Sequence, residues 1–443
     1  MSNVRPWLVL AVLAGVVCPA AAQAIDRPPR ATGGLFAQRR PSNPNQPAQE
    51  LVALIDVYGG YDDNLFEALP EPNQPASART SFVSRAETEL QFRKSVPGRS
   101  LDAVGRAYVN RTTLGKTQFV GGDFSVLGFT QLGRRNGANA SVSVGSEPAF
   151  LFGAFDQLAS QTEDLQVVDA TPAQGVTNQR WLLWRASLGA YRNLTSRQRL
   201  DAQWIRTDRR PQNGFGLEGR SQATIVRHEW RFTPSYSLLV SYNYDDNRQS
   251  DQVGESRPLV SQRADAGLNY HRQLSQRRRV TVAAGGGASH VRAFTTDSDE
   301  RRTFLVPTVY GLGRFDVGRT GGVQVDVRRD VTVLQGVSPE PFASQSYSVR
   351  VDGLPVERIQ IGASGAYSRG GAVVSDTGTF EAAGATVQVQ FILARYASLF
   401  TAYRFYRFRL IDLSSLPEGF PSRFDRNSAQ VGVTFWLPLA GRF

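Results

Sequence analysis

The stretch "NSAQVGVTFWLPLAGRF" (Asn427–Phe443) decides the fold. Every odd position in it, from Ala429 through Val431, Val433, Phe435, Leu437, Leu439 and Gly441 to the terminal Phe443, is apolar or glycine. A period of two belongs to a strand whose alternate side chains meet opposite environments; an amphipathic helix would repeat at 3.6. The same period returns upstream. In TSFVSRAETELQF the even positions Phe82, Ala86, Leu90 and Phe92 are apolar and the odd positions Arg85, Glu87, Glu89 and Gln91 are polar. In SLDAVGRAYVN, Leu101, Ala103, Gly105, Ala107 and Val109 oppose Asp102, Arg106 and Asn110. In WLLWRASLGAYR, Leu182, Trp184, Ala186, Leu188 and Ala190 oppose Arg185, Ser187 and Tyr191. Eighteen segments of this kind can be marked between Leu51 and Phe443; residues 117–131 and 279–293 are weakly patterned, so sixteen is also tenable.

The connections separate a soluble β-protein from a membrane barrel. Short links such as Ser95–Ser100, Asn193–Arg197, Thr233–Ser235, Asp352–Pro355 and Arg395–Ala397 alternate with longer polar ones. The longer set comprises residues 62–79, 147–178, 208–219, 246–257, 370–379 and 411–424. Short turns on one rim and long loops on the other mark an outer-membrane barrel. A repeat of roughly 22 residues leaves room for strands of about 9 to 11 embedded residues plus extensions. The expected fold is therefore an all-β transmembrane antiparallel barrel. Trp184, Trp204, Trp230, Trp436, Tyr236, Tyr403 and Phe405 lie in or beside strands, where aromatic girdles at the bilayer interfaces would use them.

The ends agree. Arg5, the apolar run Trp7–Cys18 and the small residues Ala20–Ala22 read as a signal peptide over residues 1–22, cleaved after Ala22. Cys18 makes a poor lipoprotein acceptor, because Val17 stands where a lipobox has a small residue. Residues 23–50 are rich in Pro, Arg, Gln and Asn without periodicity, as expected of a disordered periplasmic tail. The barrel is expected over residues 51–443. The only cysteine leaves with the signal, so disulfide scaffolds, thiolate metal sites and cysteine nucleophiles are excluded from the mature chain. No later segment has 18 consecutive apolar residues, which excludes transmembrane helices. The net charge of +11 is carried almost wholly by arginine, with lysine only at Lys94 and Lys116. The arginines are spread along the chain, which suits a polar interior better than a nucleic-acid patch.

The C-terminal strand resembles the assembly signal of bacterial outer-membrane proteins, carried here by Val431, Val433, Phe435, Leu437 and Phe443. That resemblance implies the barrel-assembly machinery as a partner during biogenesis and outer-membrane lipid as the surroundings. VYGGYDDNLF (Val57–Phe66) resembles the first-strand motif of the β-barrel porin type 2 family of proteobacterial outer-membrane proteins. This resemblance implies a location in the outer membrane and a link to export or retention of surface polysaccharide, with periplasmic export components as partners. It brings no catalytic residues with it.

Sites with chemistry of their own were weighed next. His228 falls in register with Val226, Trp230 and Phe232 on the expected lipid side, His271 follows the polar register of Asp265 and Asn269, and His290 lies near a loop end. None has a Ser or Asp partner at a catalytic spacing, so no enzyme is expected and catalytic residues are none. Thr295–Glu300 (TTDSDE) lacks the Gly and distal Glu of a calcium loop, and Gly285–Ala288 lacks the Lys-Ser/Thr ending of a phosphate loop. No metal and no cofactor are expected. The tetrapeptide YDDN occurs twice, at Tyr61–Asn64 and Tyr244–Asn247, and reads as the end of an upward strand on one rim. By parity the lumen receives Arg85, Glu87, Glu89, Arg93, Arg106, Arg185, Arg199, Arg227, Arg231 and Arg404, with Asp102, Asp201 and Glu229 among them. Arginine rings select anions; arginines paired with acids on neighbouring strands merely fill the interior. The expected function is a channel or secretion-associated barrel passing solutes or an anionic polymer. A plugged structural or adhesive barrel with binding loops, and an enzyme at the rim, are the alternatives.

Overall fold

A computed structural model describes residues 48–63, 81–112, 118–148, 180–211, 218–250, 256–275, 278–295, 298–317, 321–333, 340–356, 358–374, 378–411 and 422–441. The expected signal peptide, nearly all of the expected tail, Phe443 and the connection at 149–179 lie outside them.

The described residues form eighteen strands. In order they are β1 Ala48–Asp62, β2 Ser81–Val96, β3 Arg99–Thr112, β4 Gln118–Leu132, β5 Asn136–Pro148 and β6 Arg180–Asn193. Then come β7 Gln198–Pro211, β8 Gly219–Arg231, β9 Tyr236–Ser250, β10 Ser256–Ser275, β11 Arg278–Thr295 and β12 Ser298–Val317. The last six are β13 Gly321–Val333, β14 Pro341–Val356, β15 Ile359–Ala372, β16 Thr379–Ala394, β17 Ala397–Ile411 and β18 Arg423–Gly441. Each strand pairs antiparallel with its neighbours in sequence, and β1 pairs with β18, so the sheet closes on itself and has no edge. The sixteen-strand alternative is thereby removed. β1 begins at Ala48, ahead of the expected barrel start at Leu51.

The turns keep the parity read from the sequence. The described links at residues 97–98, 133–135, 194–197, 232–235 and 395–396 each join an even-numbered strand to the next, on one rim. Local chemistry closes several turns. Gly98 and Gly133 take φ of 75° and 78°, a region that glycine enters without steric cost. Thr233 Oγ1 accepts from the backbone N–H of Ser235 at 3.2 Å and of Tyr236 at 3.0 Å. Two expected links moved. Asp352–Pro355 belongs to β14, which bulges between Gly353 and Val356 before the turn at 357–358. Thr295 and Ser298–Glu300, expected in a loop, belong to β11 and β12, and residues 296–297 lie outside the described residues.

Alternation sorts the side chains. Val57, Leu90, Val109, Leu188, Val240, Leu268, Val349, Val387, Val431 and Phe435 are exposed on the outside, as a face in lipid requires. Val431, Phe435 and Leu437 of the expected assembly signal share that face. Asp62, Arg85, Glu87, Glu89, Asp265, Asp326, Asp330, Gln390 and Arg426 are buried within the barrel. Trp230 and Tyr236 lie outside near the turn rim, where Phe232 stacks on Tyr236 and Tyr236 contacts Tyr270. Trp436 does not join a girdle. It occupies an even position of β18, stacks on Tyr396 at 6.0 Å and packs with Ile392 and Leu354 inside the wall. Among the described residues no helix is long and apolar enough to cross a membrane.

Candidate functional site

The candidate site is the barrel interior, and it has two kinds of wall. One begins where the chain closes. Arg426 on β18 donates from Nε to both carboxylate oxygens of Asp62 on β1, at 3.0 and 2.9 Å, and from Nη2 to one of them as well. Asn427 donates its backbone N–H and its side-chain amide to Asp63, each at 2.6 Å. The first YDDN copy therefore ties the last strand to the first with two carboxylates. On β2 and β3, Arg85 pairs with Glu87 at 2.7 Å and lies over the Tyr108 ring at 3.9 Å. Arg106 pairs with Glu89 at 3.0 Å and with Asp123 of β4 at 3.5 Å.

A second filled region spans β9 to β13. Arg263 on β10 pairs with Asp265 at 2.9 Å and also reaches Asp330 on β13, crossing above β11 and β12. Thr308 on β12 donates to Asp265 at 2.5 Å, and Arg328 pairs with Asp330 at 3.1 Å. These contacts need an empty strip on β11, and the sequence supplies it with Gly285 and Gly287. A Cβ at Gly285 would lie 2.6 Å from both the Tyr310 hydroxyl and its Cζ. The GGGA stretch is thus a strip that lets long side chains meet over it. Above it, Leu259, Val291, Ala293 and Val374 form an apolar cluster with Phe304, Val331 and Val333. That cluster joins β10 and β11 to the β15–β16 connection, and it forms where β12 parts from β13. Their pairing covers only Val309–Val317 of a strand that begins at Ser298. Phe342 and Phe380 meet edge to face at 5.4 Å beside it, fully buried.

The wall from β5 to β9 is different. Apart from Asn139, Ser237, Gly137 and Gly145, its inward positions are half-buried or exposed, and Arg185 is exposed. Its charges pair along single strands. Arg199 binds Asp201 at 2.6 Å and stacks on Tyr191 at 4.2 Å, while Arg231 binds Glu229 at 2.9 Å with 59% of its side chain exposed. Ser141 and Ser187 hydroxyls lie 2.6 Å apart. Arg227, opposite Asp201 in the β7–β8 ladder, is half-buried.

The ten lumen residues named from parity thus divide. Arg85, Glu87, Glu89 and Arg106 are buried in filled wall, Arg93 pairs with Asp102 at the turn rim at 2.7 Å, and Arg404 is half-buried on β17. Arg185, Arg199, Arg227 and Arg231 line the looser sector. Sequence reasoning missed Asp62, Arg426, Arg263, Asp330, Arg328 and Thr308 as members of one interior. The second YDDN copy lies within β9 instead of at its end: Asp245 accepts from Asn243 at 2.8 Å, and Asp246 pairs with Arg248 at 3.1 Å. His228 and His290 sit on outward registers, and His271 Nδ1 lies 3.2 Å from the Thr281 hydroxyl. Among the described residues no three His, Cys, Asp or Glu side chains group as metal ligands.

A closed antiparallel barrel, apolar outside and polar inside, is the architecture of bacterial outer-membrane proteins. The outer membrane is where this chain resides. No family model and no curated protein matches it, so the type 2 porin resemblance extends no further than the barrel. Solved structures similar to it include Pseudomonas aeruginosa OccK2 (OpdF) in complex with glucuronate, at 12% identity and TM-score 0.46, covering 88% of this chain and 98% of that one. Acinetobacter baumannii OccAB2 aligns at 8% identity and TM-score 0.45 over 88% of this chain and 98% of that one. Pseudomonas aeruginosa OccK5 (OpdH) aligns at 12% identity and TM-score 0.44 over 88% and 99%.

Proposed function

We propose that the protein is an outer-membrane channel whose aqueous path follows the β5–β9 wall. The half-exposed lining there carries the reading: Arg185, Arg199, Arg227 and Arg231 present guanidinium groups to a space that the buried networks elsewhere have closed. Arginine outnumbers acid along this wall, so the field favours anions, and the fork of donors suits carboxylate and phosphate. An acidic saccharide fits this chemistry, and an anionic surface polymer is the form of it that the type 2 porin resemblance implies. Purified protein in a planar bilayer is expected to give discrete current steps with a reversal potential displaced toward the anion. A protein that inserts without current contradicts this reading.

A second reading is a plugged barrel with a structural or adhesive role. The Arg263–Asp330 bridge favours it, since it fills space inside the wall. The bilayer measurement separates the two.

A further inference from the structure

The outer face of β13–β18 carries a row of charge that the channel reading does not use. Arg329 on β13 is the ladder partner of Gln345 on β14, which partners Arg369 on β15. Arg369 partners Glu381 on β16, which partners Arg409 on β17, which partners Arg423 on β18. All six stand on the outward register. The four arginines and Glu381 are exposed, and Arg369 Nη2 donates to Gln345 Oε1 at 3.4 Å.

The rows beneath change in order. The next toward the turn rim holds Val327, Tyr347, Tyr367, Ala383, Arg407 and Asp425, and those below it hold Val325, Val349, Val323, Val351, Val387 and Tyr403. The sequence of surfaces is apolar belt, tyrosine girdle, then arginine. Because barrel strands tilt, the row runs from Arg329, four residues short of the loop end of β13, to Arg423 at the loop end of β18. The arginines thus ascend from the girdle through the depth where lipid headgroups lie. At the turn rim the outer face of the same strands ends on Val356, Ile361, Phe391, Leu399, Leu437 and Leu439, with no such row.

We propose that this row is a docking surface for phosphorylated headgroups of the loop-side leaflet, with Arg329, Arg369 and Arg409 as the phosphate-binding residues. The proposal rests on the reading of the chain as a membrane barrel. Arg423 is held by Asp425 at 2.8 Å, so Arg329, Arg369 and Arg409 against Glu381 leave the row positive, and a guanidinium presents paired donors to phosphate oxygens. Tyr347 and Tyr367, stacked at 6.5 Å directly below, offer an apolar floor for the first carbons of the acyl chains. A second copy of the chain would bring a like-charged row against this one, which disfavours self-association through it.

The test uses the full barrel in a non-ionic detergent with bis-phosphorylated lipid A as the probe. Dephosphorylated lipid A and inorganic phosphate serve as parallel arms. Native mass spectrometry is expected to count retained lipid A on the unaltered protein, and heating is expected to show a rise in unfolding temperature with this lipid alone. The triple variant R329Q/R369Q/R409Q is expected to weaken retention roughly 10- to 100-fold, as loss of three charges at a membrane surface implies. R199Q, inside the barrel, is expected to retain the lipid. Equal retention by the triple variant overturns the proposal, as does an equal thermal shift with dephosphorylated lipid or with phosphate alone. A change of oligomeric state on substitution also overturns it, by assigning the row to an interface between copies. Bilayer current is measured on the same preparations: lipid binding without current contradicts the channel and leaves the docking surface standing, and the reverse result does the opposite.

Discussion

The β10–β13 wall and the β5–β9 wall use the same residues to opposite ends. In both, arginine and acid occupy inward positions of alternating strands. On β10–β13, Arg263 and Arg328 take acids two positions along their own strands, but Arg263 reaches in addition across to Asp330 and Thr308 donates to Asp265 above the Gly285–Gly287 strip, so Asp265 and Asp330 are buried and the interior is filled. On the inward faces of β7 and β8, Arg199 takes Asp201 and Arg231 takes Glu229, each two positions along its own strand, and Arg231 keeps 59% of its side chain exposed. The added contacts across strands, more than charge count or pairing along a strand, separate the filled wall from the looser one. The glycines permit those contacts, because a side chain on β11 would separate β10 from β12 and β13.

The largest break in this contrast is expected from Asp330→Ala. It strips Arg263 and Arg328 of a shared carboxylate inside the wall, and removing one partner of a buried pair costs about 3–5 kcal/mol. Urea unfolding of the barrel in lipid vesicles, followed by tryptophan emission, measures it; a change within experimental scatter would mean the network contributes nothing. Gly285→Val comes next. The added Cβ would meet the Ala266 carbonyl at 2.5 Å and Tyr310 at 2.6 Å, an overpacking worth about 1–3 kcal/mol, while Gly311→Ala, with open space around it, is expected to be neutral. Equal effects at the two glycines would remove the strip from the explanation. The smallest effect on stability belongs to Arg231→Gln, expected within about 0.5 kcal/mol because the side chain is mostly exposed. Its signature is electrical instead: the bilayer reversal potential should move toward the cation, whereas Arg263→Gln should leave selectivity in place while lowering stability.

The fold was open to sequence reading because each strand meets lipid on one side, and a wrong-facing residue there is costly over its whole length. Val431, Val433, Phe435 and Leu437 carry that constraint without reference to any other strand. The same alternation places Trp436 inside; treating it as a girdle residue followed its type and overlooked its parity. Arg185 and Arg231 were legible as inward for the same reason. The pairing of Asp62 with Arg426 and of Arg263 with Asp330 was not, because it depends on register accumulated across separate strands and on barrel closure. The run of glycines was the one local sign of the β10–β13 network. Glycine in a strand signals close approach without saying which side chains approach.

Thiol accessibility tests the central claim most directly. Serines lie inward on both walls, and Cys18 is the chain's only cysteine. Ser143→Cys and Ser221→Cys place a thiol on β5 and β8, while Ser289→Cys and Ser398→Cys place one at fully buried positions on β11 and β17. With the barrel in vesicles, a charged water-soluble maleimide is expected to label the first pair rapidly and the second pair only after unfolding. Equal labelling of all four, or of neither pair, would contradict an interior divided into an aqueous wall and a filled one.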